Sequence, residues 1–328
     1  MRAVFINFCH PDTPHVCAIR LRFFAEALAA KGHHIVLLTT PLTRDAPGQA
    51  PEALAEALAD HDWSQPFHLA ARPVPAALTE ALQDHRLAPG ISQAMVLWCY
   101  LAKGGVFWNW VAGSRPLWRI LANKFAPDVV WATFGNSDSL HLAGGLARAA
   151  GCPWVMDVKD LWSNFIPAPL RTIAAHRVGR PSAMTAIHGA HATDAAQWFD
   201  QPKTIIHSGF PRVWLEQGPG PMEGGEFRIM LTGSLYDGRD FQILMEVLGE
   251  WLHRLAPADA RRITLAYAGG DRDRAEAALD KLGAKCAIEI NGFLPLAALH
   301  RLQTGARLNI YVHSLASPYR QKFMELLT

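Results

Sequence analysis

The chain has 328 residues, of which 50% are hydrophobic and 18% charged, a composition typical of a folded protein with more than one core. Its formal net charge of +2 argues against nucleic acid as a partner. The five cysteines are scattered and include no C-x-x-C pair, which argues against a disulfide framework or a zinc site. With a strand-like run directly after Met1 and no apolar run of about 18 residues, the sequence predicts a cytoplasmic protein without a spanning helix.

The first part of the chain alternates short apolar runs with amphipathic segments. Such alternation predicts a doubly wound α/β domain with a parallel sheet and right-handed crossovers. The predicted helices cover 18–30 and 140–150, and the predicted strands cover 2–8, 35–39, 129–133, 154–156, 184–187 and 204–207.

A stretch rich in proline and glycine at 211–225 predicts a linker between domains 1–210 and 226–328. The alternation then restarts, with strands expected at 227–231, 263–267, 286–290 and 308–312 and helices at 241–255, 271–282, 296–302 and from 317. We expect this second Rossmann-like domain to be incomplete at residue 328 and to associate with itself through apolar residues of the final helix.

A cluster of charges follows the predicted strand at 154–156. Asp157, Lys159 and Asp160 come within four residues of one another. One interpretation is a ligand site, because ligands of open α/β sheets bind at the carboxyl ends of the strands. The other is a charged loop that caps the next helix.

Several motifs, taken in order, resemble those of bacterial glycosyltransferases of the large retaining family four. Residues 157–162 read D-V-K-D-L-W and resemble that family's D-x-R-D-x-W segment. Further similarities lie at Ala18-Ile19-Arg20, at 31–36 (KGHHIV), at 127–130 (PDVV), at 206–210 (IHSGF), at 232–240 (TGSLYDGRD) and at 322–325 (KFME).

The resemblance implies a GT-B fold of two Rossmann-like domains. It also implies a hexosyltransferase that transfers a sugar with retention from a UDP- or GDP-linked donor, without a metal or other cofactor. The acceptor would be a carbohydrate or a lipid-linked molecule in cell-surface polysaccharide or glycoconjugate biosynthesis. Two alternatives remain open: a nucleotide-sugar epimerase, and a non-catalytic GT-B-like chain that binds a glycan or a partner.

The same resemblance assigns the donor site to the second domain. Gly233 and Ser234 form a turn after a strand, where backbone amides bind phosphate oxygens. Arg239 is expected to neutralise the leaving diphosphate through a forked contact. Lys322 and Glu325 share one helix face, with the lysine facing phosphate and the carboxylate accepting hydrogen bonds from ribose.

The acceptor side and the catalytic groups are expected in the first domain. Asp157 and Asp160 would face the reacting sugar or the acceptor. The first strand-to-helix loop contains no glycine, so close backbone approach to phosphate is not expected there. Polar contacts to the acceptor are expected instead from His10, Asp12, His15 and Arg20.

Aromatic and basic residues concentrate between residues 91 and 125. The aromatic residues are Trp98, Phe107, Trp108, Trp110 and Trp118, and the cations beside them are Lys103, Arg115, Arg119 and Lys124. One interpretation is an ordinary helix core, the commoner place for aromatic side chains. The other is a surface that rests on lipid headgroups, at the inner face of the membrane.

Overall fold

The computed structural model describes residues 1–13, 15–209, 226–235, 238–283 and 285–310. Contacts between Cα atoms divide the chain into two compact units, Met1–Gly209 and Phe210–Thr328. The predicted linker at 211–225, the predicted helix from 317, and with it Lys322 and Glu325, lie outside the described residues.

A seven-stranded, all-parallel sheet forms the centre of the first unit. The strands are β1 (Arg2–Ile6), β2 (His34–Thr39), β3 (Phe67–Ala70), β4 (Val129–Phe134), β5 (Trp154–Val158), β6 (Ala183–Ala186) and β7 (Lys203–Ile205). Their order is β3-β2-β1-β4-β5-β6-β7. The order reverses at β1, so loops from the carboxyl ends of β1 and β4 border the crevice where ligands of such sheets bind.

Nine α-helices connect and cover these strands within residues 1–13 and 15–209. They are α1 (Val16–Ala29), α2 (Pro51–Ala59), α3 (Ala77–Gln83), α4 (Pro89–Trp98), α5 (Trp108–Ile120), α6 (Ser137–Ala150), α7 (Trp162–Phe165), α8 (Arg171–Val178) and α9 (Gly189–Ala195). Single π-helical segments at Cys99–Lys103 and Leu121–Phe125 extend α4 and α5, and Ala168–Leu170 is 3₁₀. No helix in the described part of the chain has the length and apolarity to cross a bilayer.

Both faces of the sheet are buried, as the apolar strand sequences require. In β1, Val4 and Ile6 belong to one core cluster, and Ala3 and Phe5 belong to another on the opposite face. Helix α1 covers the second face through Leu21. This burial of alternate residues on opposite faces is the reason why strands of a doubly wound sheet are apolar throughout.

The predicted elements of the first unit are present, with ends shifted by a few residues. Sequence analysis did not predict helices α2–α5 and α7–α9, nor strand β3. It has four residues, of which only Phe67 and Leu69 are buried, and it pairs with β2 at the sheet edge. So short an alternation carries little periodic signal.

The second unit contains a smaller parallel sheet of the same kind. Its described strands, β8 (Phe227–Thr232), β9 (Ile263–Ala268), β10 (Ala287–Asn291) and β11 (Leu308–Ile310), lie in the order β10-β9-β8-β11. The helices are α10 (Gly238–Arg254), α11 (Pro257–Ala260), α12 (Arg272–Leu279) and α13 (Leu296–Thr304), and Asp280–Leu282 is 3₁₀. Here the order reverses at β8, which places the turn after Thr232 at the position favoured for ligands.

Candidate functional site

Asp157 lies inside β5, fully buried, in an ion pair with Arg20 of α1. Arg20 donates from Nε to Oδ2 at 2.9 Å and from Nη2 to Oδ1 at 2.8 Å. The hydroxyl of Thr185 in β6 donates to Oδ1 at 2.6 Å. Three donated hydrogen bonds and a facing guanidinium satisfy this carboxylate within the protein.

This environment does not place Asp157 against a substrate, which corrects the sequence expectation for its position. The predicted strand ended at 156, whereas β5 continues to Val158 because Arg20 neutralises the charge within the sheet. Arg20 is likewise buried in helix α1, and its Nη1 donates to the hydroxyl of Ser208 at 3.3 Å. The pair therefore ties α1 to β5 and to the segment after β7.

Asp160 lies just beyond β5 and has a different partner. Lys159 Nζ donates to both of its carboxylate oxygens at 3.1 Å, and to the sulfur of Cys17 at the same distance. Asp160 Oδ2 also borders the loop after β4, since a Cβ built on Gly135 would lie 3.9 Å from it. Small fractions of both side chains remain exposed, 9% for Lys159 and 6% for Asp160.

Burial and neighbouring groups together set the charges in this cluster. Burial by itself lowers the pKa of Lys159, but the neighbouring sulfur and the Asp160 carboxylate outweigh it, and the net direction is upward. Burial raises the pKa of the Cys17 thiol. The lysine is therefore a cation, the thiol is neutral, and the carboxylate of Asp160 has Lys159 as its counter-ion.

Histidines after β6 complete this edge of the sheet, and sequence analysis did not select them. The buried His191 of α9 lies beside Asp160, and burial lowers its pKa to about 4 although Asp160 opposes the shift. His188 caps α9 by accepting a hydrogen bond from the amide of Ala190, and its ring centroid is 6.5 Å from that of His207. The sequence feature that could have identified His188 and His191 is their position directly after a predicted strand.

The first loop holds itself in shape through its own polar groups. His15 caps α1, with Nδ1 accepting a hydrogen bond from the amide of Cys17. The amide of Asp12 donates to His10 Nδ1 at 3.2 Å, and burial lowers the pKa of His10 against the opposing charge of Asp12. The Asp12 carboxylate is 57% exposed. Among the residues that the structure describes, no group of His, Cys, Asp or Glu is arranged to hold a metal ion.

In the second unit, the turn after β8 uses two of its own amides internally. Gly233 donates to the carbonyl of Ala268 at 2.8 Å, and Leu235 donates to Asp271 Oδ2 at 2.8 Å. Gly233 has φ of +82°, a conformation that favours glycine. The amide of Gly233, which was expected to bind phosphate, therefore stabilises the turn instead, as does the amide of Leu235.

Tyr267 and Gly269 fix this turn from the neighbouring strand. The Tyr267 hydroxyl donates to the carbonyl of Gly233 at 2.7 Å and accepts from the amide of Asp271 at 3.1 Å. A Cβ at Gly269 would lie 2.3 Å from the Gly233 carbonyl oxygen, so only glycine fits there. Sequence analysis did not select Tyr267, which lies near the end of β9, or Gly269, which directly follows that strand.

Arg239 is exposed in the first turn of α10, which begins close after the Gly233 turn. The amino terminus of a 17-residue helix carries a partial positive charge. Arg239 adds a full cation at that place. The turn and the helix start together favour an anionic ligand at the carboxyl edge of the second sheet.

Comparison with known proteins supports the fold. The sequence matches no protein-family model and no curated protein. The structure resembles Anabaena Alr3699/HepE in complex with UDP and glucose, with a TM-score of 0.61 and 13% identity over 100% of this chain and 78% of that one. It also resembles apo OtsA, a trehalose-6-phosphate synthase (TM-score 0.60, 11% identity, 99% and 81% covered). A third neighbour is a trehalose-6-phosphate structure from E. coli bound with UDP-2-fluoro glucose. Its TM-score is 0.56 at 10% identity, over 99% of this chain and 82% of that one.

These likenesses, at low identity, show the fold and confirm the predicted architecture. The chain is an α/β protein of the GT-B type, with Rossmann-like units built on parallel sheets.

Proposed function

We propose that the chain is a retaining glycosyltransferase that transfers a hexose from a nucleotide-sugar donor, UDP-linked in the first instance, to a carbohydrate or lipid-linked acceptor. One observation carries the proposal: the likeness to HepE extends over the whole chain, and HepE has been crystallised with UDP, with UDP and glucose, and with UDP-glucose. The expected setting is the biosynthesis of a cell-surface polysaccharide or glycoconjugate.

The donor side of the proposal rests on the start of α10 and the turn before it. A nucleotide diphosphate needs donors and positive charge, and the helix amino terminus and Arg239 supply both. Tyr267 and Asp271 hold the Gly233 turn, which precedes α10 in the chain. Lys322 and Glu325 keep their proposed roles, toward phosphate and ribose, on the strength of the sequence motif.

The acceptor side rests on Asp160. Of the two aspartates in the motif, it is the one whose carboxylate bonds to a single side chain among the described residues and retains some exposure. Chemistry without a metal depends on stabilising the leaving diphosphate and the oxocarbenium-like centre by fixed charges. In this scheme Arg239 and Lys322 serve the diphosphate, and the Asp160 carboxylate serves the reacting sugar or the acceptor hydroxyl.

Calorimetric titration with UDP, GDP, ADP and CMP tests the donor assignment. We expect one nucleoside diphosphate, UDP, to bind more tightly than the others. Failure of every nucleotide to bind would overturn the proposal.

Lys322→Ala tests the phosphate contact itself. It should weaken UDP binding by about 1–3 kcal/mol, the range for a charge-assisted hydrogen bond, and leave uridine binding unchanged. Lys281→Ala, which removes an exposed lysine from the same unit, serves as the control and should change neither. Equal weakening of UDP and uridine would remove Lys322 from the phosphate site.

A further inference from the structure

Helix α4 exposes its apolar face to solvent. None of its residues is buried, and Ile91, Leu97 and Trp98 are 57%, 45% and 43% exposed. Ile91, Ala94, Trp98 and Leu101 recur at helical spacing, and all four are exposed. An ordinary surface helix turns such a stripe inward and shows its polar side to water. In α4 the stripe faces solvent, although Val96 on the other side of the helix packs against the core.

All the lysine, arginine, aspartate and glutamate residues of the surrounding sequence are basic ones. From residue 85 to residue 127 the chain contains no aspartate or glutamate, although acidic and basic residues are nearly balanced over the protein, 29 against 31. Five cations fall within this interval: Arg86, Lys103, Arg115, Arg119 and Lys124. Arg86 pairs with Asp84, which lies just before the interval. The other four are the cations that give this part of the first unit its positive charge.

Lys103 connects the apolar stripe to the start of α5. Its Nζ lies 5.6 Å from the ring centroid of Trp98 and 4.7 Å from that of Trp108. Trp108 opens α5, and Arg115 and Arg119, both exposed, follow it at i+7 and i+11 on the same helix face. We call the stripe of α4, Lys103 and this face of α5 the α4–α5 surface.

We propose that the α4–α5 surface binds an anionic lipid bilayer. The exposed Ile91, Leu97 and Leu101 would enter the boundary between headgroups and acyl chains, where an amphipathic helix lies in the membrane plane. Tryptophan rings and the lysine and arginine side chains occupy the headgroup level, with the cations on lipid phosphates. The chemistry of the surface matches this partner in both its apolar and its charged parts.

Charge decides between a membrane and a second copy of the chain. A twofold interface would bring the same cations of two copies together. No carboxylate from residues 85–127 would be available to pair with them, and like charges facing each other oppose association. An anionic bilayer supplies the missing negative charge.

The surface also adjoins the acceptor-side loop of the first unit. Phe107, the residue before Trp108, has its ring centroid 4.1 Å from that of Phe8, which lies in the loop after β1. A bilayer on the α4–α5 surface would therefore present its lipids near the loop that carries His10 and Asp12. If the proposed function holds, this arrangement specifies a lipid-linked acceptor rather than a free sugar.

Co-sedimentation of the full chain with phospholipid vesicles tests the proposal. We expect binding to vesicles that contain phosphatidylglycerol, and weaker binding to vesicles of phosphatidylcholine alone. Leu97→Glu/Leu101→Glu should lower the partition coefficient at least about tenfold, because two apolar side chains become charges repelled by the lipid. Lys103→Ala should lower it about fivefold on anionic vesicles only.

A matched control is available on α10. Ile243→Glu/Val247→Glu makes the same change at two residues one turn apart that are 48% and 57% exposed, and it should leave vesicle binding unchanged. Far-ultraviolet circular dichroism and calorimetric titration with UDP on every variant show that each remains folded. They also separate a failure of this proposal from a failure of the donor assignment.

Three results would overturn the proposal. The first is a parent chain that does not bind anionic vesicles. The second is equal binding by the parent and by Leu97→Glu/Leu101→Glu. The third is a parent that sediments as a dimer without vesicles, does not bind them, and becomes monomeric on the Leu97→Glu/Leu101→Glu change, because the surface would then be an interface between copies of the chain.

Discussion

Two ion pairs lie three residues apart in the first unit, and they differ in what they leave available. Asp157 accepts two hydrogen bonds from Arg20 and a third from Thr185, with no exposed side-chain surface on either ion-pair partner. Within the part of the chain that the structure describes, Asp160 accepts hydrogen bonds only from Lys159, at 3.1 Å to each oxygen, and retains slight exposure. The Asp157 carboxylate is enclosed entirely by protein groups, whereas the Asp160 carboxylate can still contact a ligand.

We infer from the difference that the two aspartates of one motif have separate roles. Arg20 and Thr185 come from α1 and β6, so the Asp157 pair holds the elements around β5 in place. Asp160 lies beyond the end of that strand, beside Gly135 and His191, where ligands of such sheets bind. We therefore assign Asp157 a positioning role and propose Asp160 as the acidic group of the reaction.

Breaking the inner pair should have the largest effect. Asp157→Asn or Arg20→Met should each lower the free energy of unfolding by about 3–5 kcal/mol, since either change leaves a buried charge without its partner. Arg20→Met/Asp157→Leu removes both charges and should recover most of the loss. Urea denaturation measures all three.

The control for the inner pair is Arg22→Met on the same helix. Arg22 is partly exposed and its ion pairs with Asp12 and Glu26 are 3.5 and 3.6 Å long, so we expect a change of about 0–1 kcal/mol. Strictly additive losses for the two members of the inner pair would contradict the assignment.

Asp160→Asn should instead act on turnover. We expect kcat to fall about 100-fold, the scale for losing one preorganised charge, with UDP affinity unchanged. The loss of unfolding free energy should be smaller than for Asp157→Asn, because Lys159 keeps the Cys17 sulfur and some contact with water. Asp194→Asn changes a carboxylate of similar burial on α9 and should keep its turnover. Equal loss of stability and turnover in the Asp160 variant would make that residue structural.

His191→Asn should change stability only in acid, with the smallest effect of these variants at neutral pH. The folded-state pKa of about 4 lies below the usual 6.5, so the unfolded chain binds more protons between these values. Stability of the parent therefore falls as the pH is lowered through this window, by up to about 1.4 kcal/mol per pH unit. The variant should lack this contribution, whereas His176→Asn, at an exposed position on α8, should retain it. Parallel pH profiles for parent and His191→Asn would place a charged imidazole beside Asp160.

Much of the fold was predictable because parallel strands buried on both faces are apolar throughout. Strands such as β1 and β4 stand out from the helices that follow them. The edge strand β3 was not predictable, because its alternation of Phe67 and Leu69 covers four residues. Of the aromatic residues between 91 and 125, Trp110 lies in the core and Trp98 at the surface. The spacing of these residues in the sequence does not determine which of them are buried.

The site was predictable in position more than in detail. Sequence analysis selected the segment after β5 and the turn after β8 because both follow apolar runs. It did not reveal that Arg20 pairs with Asp157, since 137 positions separate them. Nor did it reveal that the amide of Gly233 bonds to Ala268, which depends on strand pairing. Partners brought together by tertiary structure decide which polar groups remain available to a ligand.

The most direct test of the proposed glycosyltransferase activity follows UDP-glucose by proton NMR in the presence of the full chain, with water as the acceptor. We expect slow cleavage to UDP and glucose, with the α-anomer appearing first, and a much slower reaction for Asp160→Asn. Release of the β-anomer first would contradict retention. Conversion to an epimeric nucleotide sugar, or tight binding of UDP-glucose with no cleavage at all, would contradict the assignment as a glycosyltransferase.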